Sequence, residues 1–470
     1  MTANQNFSAR FKSGGTIGAT RNVIVKKFFP TELVGRNFFL LLWRKIFVKR
    51  GLSMKKFFLT LLVVAMIISS FVTVEAKKFG DNYQLDKVVI FSRHNIRSSN
   101  IDRSRDLTAK KWFKWTAPSG ELSLRGGLLE TSLGQYFRKY FVDENFMTED
   151  YQPTADEFRF YANSIQRTVA TAKYFSSGLL PVANVEIEHA LPLGNWDDVF
   201  NAKFNFMNEK YLADVTKSLE DYCGVEDLRL AGTNLKNEIA LIENVLDLKN
   251  SRYARKTGEQ SFRTNATEFI LELDKTPMFR GSLLPIYSAS DALIMQYYET
   301  GAAFDQKLSD KQWHQIGNIK EFCIGMIGIK NIAVNVSQPL MKFLRDELTN
   351  DRKFSFICGH DSNINEILAA LDVEEYSLPE TVEYRAPIGG KILIERWRGT
   401  DGENYASLSL VYMSDAQIQN LSQFTLNNPP KIYPLRLKGL QANSDGLYLF
   451  SDVEKRFSDA LAEYDALKNG

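Results

Sequence analysis

Two apolar runs in this chain end abruptly in charged and polar residues. Residues 88–91 and 354–358 consist mainly of apolar residues, many of them β-branched or aromatic, which predicts buried strands. The first run leads into the motif Arg93-His94-x-x-Arg97 and the second into His360-Asp361. Ligands of open α/β sheets bind just beyond the carboxyl ends of the strands. Both motifs are therefore candidates for a functional site.

The remaining hydrophobic pattern predicts helices that alternate with strands. Strand-like runs occur at residues 158–162, 392–397 and 406–412, and apolar residues at helical spacing occur at residues 124–141 and 235–246. Residues 195–285 are helix-rich and lack strand alternation. The predicted fold class is therefore α/β, with a central sheet flanked by helices.

Two helix starts can be predicted from capping residues. Asn163 and Ser164 follow a predicted strand and are typical helix-start residues, which places Arg167 in the first helical turn. An arginine there would add to the anion site that the free N–H groups of a helix N-terminus form. Ser451 and Glu454 have the spacing of a capping box and predict the start of the last helix.

The amino-terminal residues differ from the rest of the chain. The pair Lys55-Lys56, an apolar run at residues 57–72 and residues 74–76 follow the layout of a secretory signal peptide, which we assign to residues 54–76. A transmembrane anchor is the alternative, although the run is short for one. We therefore expect the mature protein to be periplasmic or secreted, without stable membrane insertion after cleavage.

Residues 1–53 precede a signal peptide that would be complete without them. They hold ten basic residues and a single acid, Glu32. We interpret them as a non-native or disordered extension. The alternative is a membrane-surface segment built on residues 38–43.

The formal charge depends on whether this segment is counted. Residues 1–76 contain 12 of the 58 Lys and Arg residues and 2 of the 56 Asp and Glu residues, which leaves 46 basic and 54 acidic residues. The whole chain carries +2, whereas the remainder carries −8. An acidic mature protein lacks the excess of basic residues that binds nucleic acid, so nucleic acid is not an expected partner.

The three cysteines give no metal-binding pattern. Cys358 lies in a predicted strand and is expected in the core, while Cys223 and Cys323 could pair in an exported protein, which the sequence leaves open. The chain lacks Cys-x-x-Cys and other Cys/His ligand spacings, so no metal site is predicted.

The chemistry of the strand-end motifs favours phosphoryl transfer. An imidazole is a nucleophile, and arginines match phosphate oxygens in a bidentate fork. Two of the four histidines lie in these motifs, while His189 and His314 have polar surroundings and are expected at the surface. Basic residues cluster after the first motif, as a solvated face or as a rim that collects phosphorylated substrate: Arg103, Arg105, Lys110, Lys111 and Lys114.

Together, Arg93-His94-x-x-Arg97 and His360-Asp361 resemble the histidine acid phosphatase family. Segments that resemble its bacterial glucose-1-phosphatase and phytase branch are residues 163–172, 291–293, 296–299 and 387–391. Asn95 and Ser362 are closer to glucose-1-phosphatases, since phytases usually carry Gly and Thr there. One departure is that Ser98 and Ser99 follow Arg97, where the family has Arg-x-Pro. The loop after the motif is therefore expected to be less rigid.

The resemblance implies a fold like that of phosphoglycerate mutase, with a smaller helical domain inserted. We expect an α/β phosphatase domain formed by residues 77–194 and 286–470 and a helical insertion at residues 195–285. The active site would lie between the two.

The resemblance also implies a reaction. It assigns His94 as the nucleophile that forms a phosphohistidine and Asp361 as the general acid. The groups that hold the phosphoryl oxygens would be Arg93, Arg97, Arg167 and His360. No cofactor or metal is expected, because cationic groups and donors can stabilise the charge. The expected function is hydrolysis of phosphate monoesters, such as glucose 1-phosphate.

Two other functions remain open, and a third fits the sequence poorly. A phytase acting on inositol phosphates would need more cationic contacts around the pocket. A non-catalytic protein that binds phosphorylated sugars would not need Asp361. A transferase similar to phosphoglycerate mutase shares the Arg-His chemistry but fits poorly with an export signal.

Overall fold

The computed structural model describes Phe79 and residues 82–470. The predicted extension at residues 1–53 and the predicted signal peptide at residues 54–76 lie outside the described residues. Within the described part of the chain, no helix combines the length and apolarity needed to cross a bilayer.

Seven strands form one mixed sheet, and two more form a separate hairpin. The strands are β1 (Tyr83–Arg93), β2 (Phe158–Ala162), β3 (Thr267–Ile270), β4 (Met278–Gly281), β5 (Phe354–Gly359), β6 (Lys391–Gly399), β7 (Asn404–Tyr412), β8 (Lys431–Pro434) and β9 (Tyr448–Leu449). The large sheet has the order β2-β5-β1-β6-β7-β8, with β9 paired to β7. β2, β5 and β1 are parallel, and the remaining pairs are antiparallel.

Twelve α-helices accompany these strands in the described residues. They are α1 (Leu124–Asp143), α2 (Gln166–Leu179), α3 (Glu209–Cys223), α4 (Lys236–Leu246), α5 (Arg252–Thr257), α6 (Leu283–Thr300), α7 (Asp310–Gly325), α8 (Lys330–Val336), α9 (Gln338–Thr349), α10 (Asp361–Ala370), α11 (Asp415–Gln419) and α12 (Phe450–Asn469). The predicted α/β fold with a sheet flanked by helices is confirmed.

The three parallel strands bring their carboxyl ends to one edge of the sheet. β1 is buried from Val88 onward and β5 is buried throughout, as expected for strands covered on both faces. In register, Arg93 pairs with Gly359 and Ala162 pairs with Cys358. The residues that follow these three strands are therefore neighbours in space.

Residues 195–285 contain α3, α4, α5 and the β3–β4 hairpin. The apolar face predicted for residues 235–246 is buried, with Ile242 and Leu246 fully so. The hairpin is a difference from the sequence analysis, which predicted no strand here. In the hairpin, Phe269 pairs with Phe279. Its strands have four residues each, which is too short for a clear alternation of apolar and polar residues. The division into an inserted domain stays a prediction.

Both helices begin within two residues of the predicted caps, and Arg167 lies in the first turn of α2 as predicted, but the predicted capping residues are wrong. α2 has Ile165 as its N-cap and α12 has Leu449, and neither of these two side chains makes a capping hydrogen bond. Ser451 lies inside the first turn of α12. Asn163 precedes the helix and uses its side chain for longer-range contacts, which compete with local capping.

The three cysteines are buried thiols. Cys358 is in the core, as predicted, and the pairing of Cys223 with Cys323 is not formed in this structure. His189 and His314 are exposed, as predicted.

Candidate active site

Three strand ends place the central groups of the site. His94 follows β1, His360 follows β5 and Asn163 follows β2. The backbone N–H of His94 donates to Gly359 O at 3.0 Å, and that of Asn163 donates to Cys358 O at 3.0 Å. These bonds extend the sheet ladder past the strand ends. As a result, the imidazole rings of His94 and His360 lie with their centroids 5.5 Å apart.

The tautomer of His94 follows from its surroundings. Nδ1 lies 2.8 Å from the carbonyl oxygen of Asn95, which can only accept, so Nδ1 carries the proton. Nε2 then holds a lone pair, and no hydrogen bond from the described residues occupies it. Asn95 is fixed because its backbone N–H donates to Thr171 Oγ1 at 3.1 Å. The ring therefore presents a nucleophilic nitrogen.

Burial holds the pKa of His94 well below its usual range, and nearby cations add to the effect. Arg167 is the largest electrostatic contributor, followed by His360, Arg93 and Arg97. A neutral ring is the form that can attack phosphorus. The nucleophilic form of His94 therefore persists into the acidic range.

The tautomer of His360 is fixed by a chain of donors. The backbone N–H of Asp197 donates to Asn163 Oδ1 at 3.0 Å, which orients the amide so that Asn163 Nδ2 donates to His360 Nε2 at 2.8 Å. The proton of the neutral His360 ring is therefore on Nδ1. Arg167 Nη2, also a donor, lies 3.4 Å from this atom. Two donors that converge in this way suit a shared anionic oxygen.

Arg97 and Arg167 differ in how their charge is compensated. Arg97 donates to Asp291 Oδ2 at 2.8 Å. No carboxylate of the described residues lies within ion-pair distance of Arg167, whose Nη1 reaches Gly120 O at 3.4 Å. Burial, with the charge of Arg97, lowers the pKa of Arg167 to about 10. A half-buried cation without an anionic partner is costly, and a bound phosphate would supply that partner.

Arg93 has protein partners at its guanidinium. It is buried and donates through Nη1 to Glu383 Oε1 at 3.0 Å and to the carbonyl of Ala386. Its Nη2 lies 3.3 Å from Asp361 Oδ2. In this structure Arg93 therefore orients Asp361, and its predicted contact with phosphate stays a prediction.

Lys320 of α7 is a member of the site that the sequence analysis missed. Its Nζ lies 2.7 Å from Glu383 Oε1, 3.1 Å from Asp291 Oδ1 and 3.5 Å from Asp361 Oδ2. The sequence does contain one sign of its role. Lys320 lies on the same helix face as Ile316 and Cys323, which are apolar and buried, so a lysine there is expected to be buried as well. Lys320 neutralises three carboxylates, two of which, Asp291 and Asp361, line the cavity.

Asp361 is held in its charged form before substrate binds. Burial opposes ionisation, but Arg93, Lys320, His360 and Arg97 together bring its pKa well below the usual range. The backbone N–H of Ser362 also donates to Asp361 Oδ1 at 3.0 Å. If Asp361 is the general acid, as predicted, its proton must therefore arrive together with the substrate.

These groups surround one cavity of about 620 Å³. Its lining includes His94, Arg97, Arg167, His360 and Asp361. Of the predicted basic rim only Arg103 lines this cavity. Among the described residues, no group of three His, Cys, Asp or Glu side chains could hold a metal ion.

Comparison with known proteins gives a consistent set of relatives. A glucose-1-phosphatase of Providencia rettgeri is 31% identical over 394 residues, which cover 81% of this chain and 92% of that protein. A glucose-1-phosphatase of Salmonella typhimurium is 30% identical over 408 residues, which cover 84% and 96%. The apo form of Hafnia alvei phytase has a similar fold, with a TM-score of 0.74 at 23% identity, covering 82% of this chain and 98% of that one.

The family follows from the sequence match and agrees with the geometry. Residues 75–412 match the histidine phosphatase superfamily (branch 2). The matched range contains both strand-end motifs and every residue of the cavity named above. This chain therefore belongs to branch 2 of the histidine phosphatase superfamily and is a histidine-type acid phosphatase.

Proposed function

We propose that the enzyme hydrolyses sugar phosphates, with glucose 1-phosphate as the candidate substrate, through a phosphohistidine on His94. One observation carries the proposal. The open Nε2 of a buried, neutral His94 shares a cavity with Arg167, a half-buried cation that has no carboxylate partner among the described residues. Such a cavity attracts a phosphate and offers it a nucleophile.

The reaction divides into two transfers at phosphorus. In the first, His94 Nε2 forms a bond to phosphorus while the ester P–O bond breaks, and the leaving oxygen takes a proton from Asp361. In the second, water attacks the phosphohistidine, which releases inorganic phosphate and the free imidazole. Arg97, Arg167 and the Nδ1–H of His360 hold the phosphoryl oxygens throughout.

Asp361 obtains its proton by substrate binding. In the empty site four positive or partly positive groups keep it ionised. A phosphate ester has a second pKa of about 6, so part of it arrives as a monoanion that carries one proton. The bound phosphate charge also offsets Arg97 and Arg167, which favours protonation of the nearby carboxylate.

The test of the nucleophile is His94→Ala with His314→Ala as the matched control. His314 is exposed and lies outside the cavity, so its loss should leave turnover unchanged. His94→Ala should lose essentially all turnover of glucose 1-phosphate, because no other group is positioned to attack. Acid-labile phosphate on the quenched wild-type enzyme, absent from His94→Ala, is the direct readout. Substantial turnover in His94→Ala would assign the chemistry to another residue.

The test of the general acid is Asp361→Asn on two leaving groups. A sugar alkoxide needs a proton to leave, whereas p-nitrophenolate needs little help. General acid catalysis contributes typically 10²–10⁴-fold, so a loss of that size is expected on glucose 1-phosphate. Single-turnover phosphoryl transfer from p-nitrophenyl phosphate should fall far less. Equal losses on both substrates would leave Asp361 with a positioning role only.

The alternative substrate is phytate, which would place several phosphates in the same cavity. The cavity volume of about 620 Å³ is compatible with a large ligand, and this observation keeps the alternative open. We expect kcat/KM to be higher on glucose 1-phosphate than on phytate, since Asn95 and Ser362 resemble glucose-1-phosphatases. Phosphate release from both substrates, measured side by side on purified enzyme, decides the question. A clear preference for phytate would reverse the assignment.

We also infer that the enzyme acts outside the cytoplasm, in the periplasm or the medium. Support comes from the signal-peptide pattern of residues 54–76. Amino-terminal sequencing of protein from the cell envelope or medium should give a start near Lys77. Recovery of exported protein with residues 1–53 intact would contradict this.

A further inference from the structure

Trp196 is an exposed aromatic side chain beside the phosphate-binding groups. The residue is 45% exposed, and it lines the active-site cavity. The indole lies 4.4 Å from the His360 ring, centroid to centroid, with 35° between the planes. Part of the indole therefore covers His360, while nearly half of the residue remains open.

The loop that carries Trp196 is held in place. Ser164 O accepts from the backbone N–H of Gly194 at 2.7 Å, and Ser164 Oγ accepts from Leu191 N–H at 3.0 Å. On the other side of Trp196, Asp197 accepts from Tyr161 Oη at 2.5 Å. Single exposed apolar residues are common on protein surfaces. An exposed tryptophan fixed on both sides and facing a catalytic cavity is better explained by ligand contact.

The rest of the cavity carries little charge beyond the phosphate-binding cluster. Apart from the proposed catalytic and phosphate-binding groups, its charged lining residues among those described are Arg103 and Asp291, and Asp291 is paired with Arg97. Uncharged hydroxyl and amide groups line it instead: Asn100, Asn201, Thr276, Ser288 and Ser362. Met278 and Phe279 add apolar surface. This lining suits a leaving group that is uncharged, bears hydroxyls and has an apolar face.

We propose that Trp196 is the platform on which an uncharged sugar ring stacks when its phosphate is held by Arg97, Arg167 and His360. The ligand class is a monophosphate of a pyranose-type ring, whose C–H face packs on the indole while its hydroxyls meet the uncharged polar groups. Because His360 binds the phosphoryl group and contacts Trp196, a ring one bond beyond the ester oxygen comes within reach of the indole. The inference rests on the phosphatase function proposed above and adds the recognition of the alcohol.

The experiment compares a cyclic and an acyclic substrate. Trp196→Ala should lower kcat/KM on glucose 1-phosphate by about tenfold, the effect of losing one apolar contact in a binding pocket. On glycerol 3-phosphate, which has no ring, the change should stay within about twofold because the phosphate contacts remain. Trp196→Phe should recover most of the loss on glucose 1-phosphate, since it restores a flat apolar face.

Leu193→Ala is the matched control, because Leu193 is 59% exposed on the same loop and does not line the cavity. It should leave both substrates unchanged. Equal losses on both substrates in Trp196→Ala would show that Trp196 only supports His360, and no loss on either would show that it makes no contact. Both results overturn the proposal. Failure of the wild type to hydrolyse any phosphate monoester would instead overturn the proposed function.

Discussion

In each imidazole of the site, one ring nitrogen is hydrogen-bonded to the protein and the other is left for the ligand. His94 uses Nδ1 for the Asn95 carbonyl, which leaves Nε2 for the proposed attack on phosphorus. His360 uses Nε2 for the Asn163 amide and keeps its Nδ1–H as a donor. Both rings carry their proton on Nδ1, but the protein occupies Nδ1 of His94 and Nε2 of His360. The same tautomer therefore leaves a lone pair on one ring and an N–H donor on the other.

The pH dependence of kcat/KM should reflect the lowered pKa of His94. A base is active above its pKa, and burial together with Arg167 holds this pKa well below 6.5. The acidic limb should therefore lie below pH 6.5. On the alkaline side activity should fall above about pH 6, as the substrate loses the proton of its monoanion. A pH series with glucose 1-phosphate measures both limbs.

Arg167→Met provides the contrast for this prediction. Removing a cation makes protonation of His94 easier, so its pKa rises and the acidic limb moves to higher pH. KM should also rise because a phosphate contact is lost. A wild-type acidic limb at or above pH 6.5 would contradict the lowered pKa of His94.

Lys320 should affect the pH dependence of kcat through Asp361. Its Nζ lies 3.5 Å from Asp361 Oδ2, and it helps keep that carboxylate ionised. Lys320→Met should raise the pKa of Asp361, because a neighbouring positive charge is lost. The protonated form of Asp361 then persists to higher pH, and the alkaline limb of the kcat profile should shift to higher pH. Lys320→Arg keeps the positive charge and should leave the alkaline limb of the kcat profile at the wild-type pH.

Lys330→Met serves as the control for the loss of a lysine. Lys330 pairs with Asp372 and Glu463 and does not line the active-site cavity. Its replacement should leave the alkaline limb unchanged. An unchanged limb in a folded Lys320→Met enzyme would restrict Lys320 to a structural role.

Prediction from sequence succeeded at the residue scale where chemistry directly follows a strand. The structure brings five of the six predicted site residues to one cavity: His94, Arg97, Arg167, His360 and Asp361. Arg93 does not line it, and the role of each residue stays a prediction. Asn163 was assigned a capping role because its tertiary partners, Asp197 and His360, are invisible in local sequence. Lys320 and Glu383 were missed for the same reason, since an ion pair between distant segments leaves no local pattern.

At the scale of elements, a buried polar link connects β1, α1 and β6 behind the nucleophile. Lys391 Nζ lies 2.7 Å from Glu130 Oε1, and both side chains are fully buried. Glu130 Oε2 accepts from Asn95 Nδ2 at 2.7 Å. Because the Asn95 carbonyl fixes the His94 tautomer, this ion pair supports the nucleophile from within the core.

Breaking the Lys391–Glu130 pair should be costly. Lys391→Met leaves Glu130 buried without its cation, and the expected loss in the free energy of unfolding is about 3–5 kcal/mol. Replacing both residues, as Lys391→Met with Glu130→Leu, should cost clearly less because no unpaired charge remains. Denaturant titration measures these differences.

An exposed pair is the control for this measurement. Lys455 and Asp459 of α12 lie 2.7 Å apart at the surface, and Lys455→Ala should give no measurable change. If the double replacement in the core proves as destabilising as the single one, packing rather than charge pairing holds these elements.

Strand and helix predictions at this scale depended on the length of the pattern. The runs that became β1, β2, β5, β6 and β7 were long enough to show their apolar character. The order β2-β5-β1-β6-β7-β8 could not be predicted, since β1 and β5 are separated by more than 200 residues in the chain. The short β3–β4 hairpin has no apolar run of comparable length.

At the scale of the whole molecule, the sheet and the site lie in the same part of the chain. The strands of the large sheet run from Tyr83 to Leu449, and the proposed catalytic and phosphate-binding residues lie between Arg93 and Asp361. Phe79 packs its ring against Trp397 of β6, at a centroid distance of 4.9 Å. A chain that begins at Lys77 therefore retains every contact named for the fold and the site.

We expect a chain of residues 77–470 to have the same melting temperature as the chain of residues 1–470. Its kcat/KM should agree within about twofold. Its formal charge should change from +2 to −8, which isoelectric focusing can verify on the same sample. The contrasting variant begins at Asn95 and lacks β1, the strand between β5 and β6. That variant should not fold, because removing β1 from the centre of the sheet leaves one edge of β5 and one edge of β6 with unpaired backbone groups. Loss of activity in the chain of residues 77–470 would show that residues 1–76 contribute to the site.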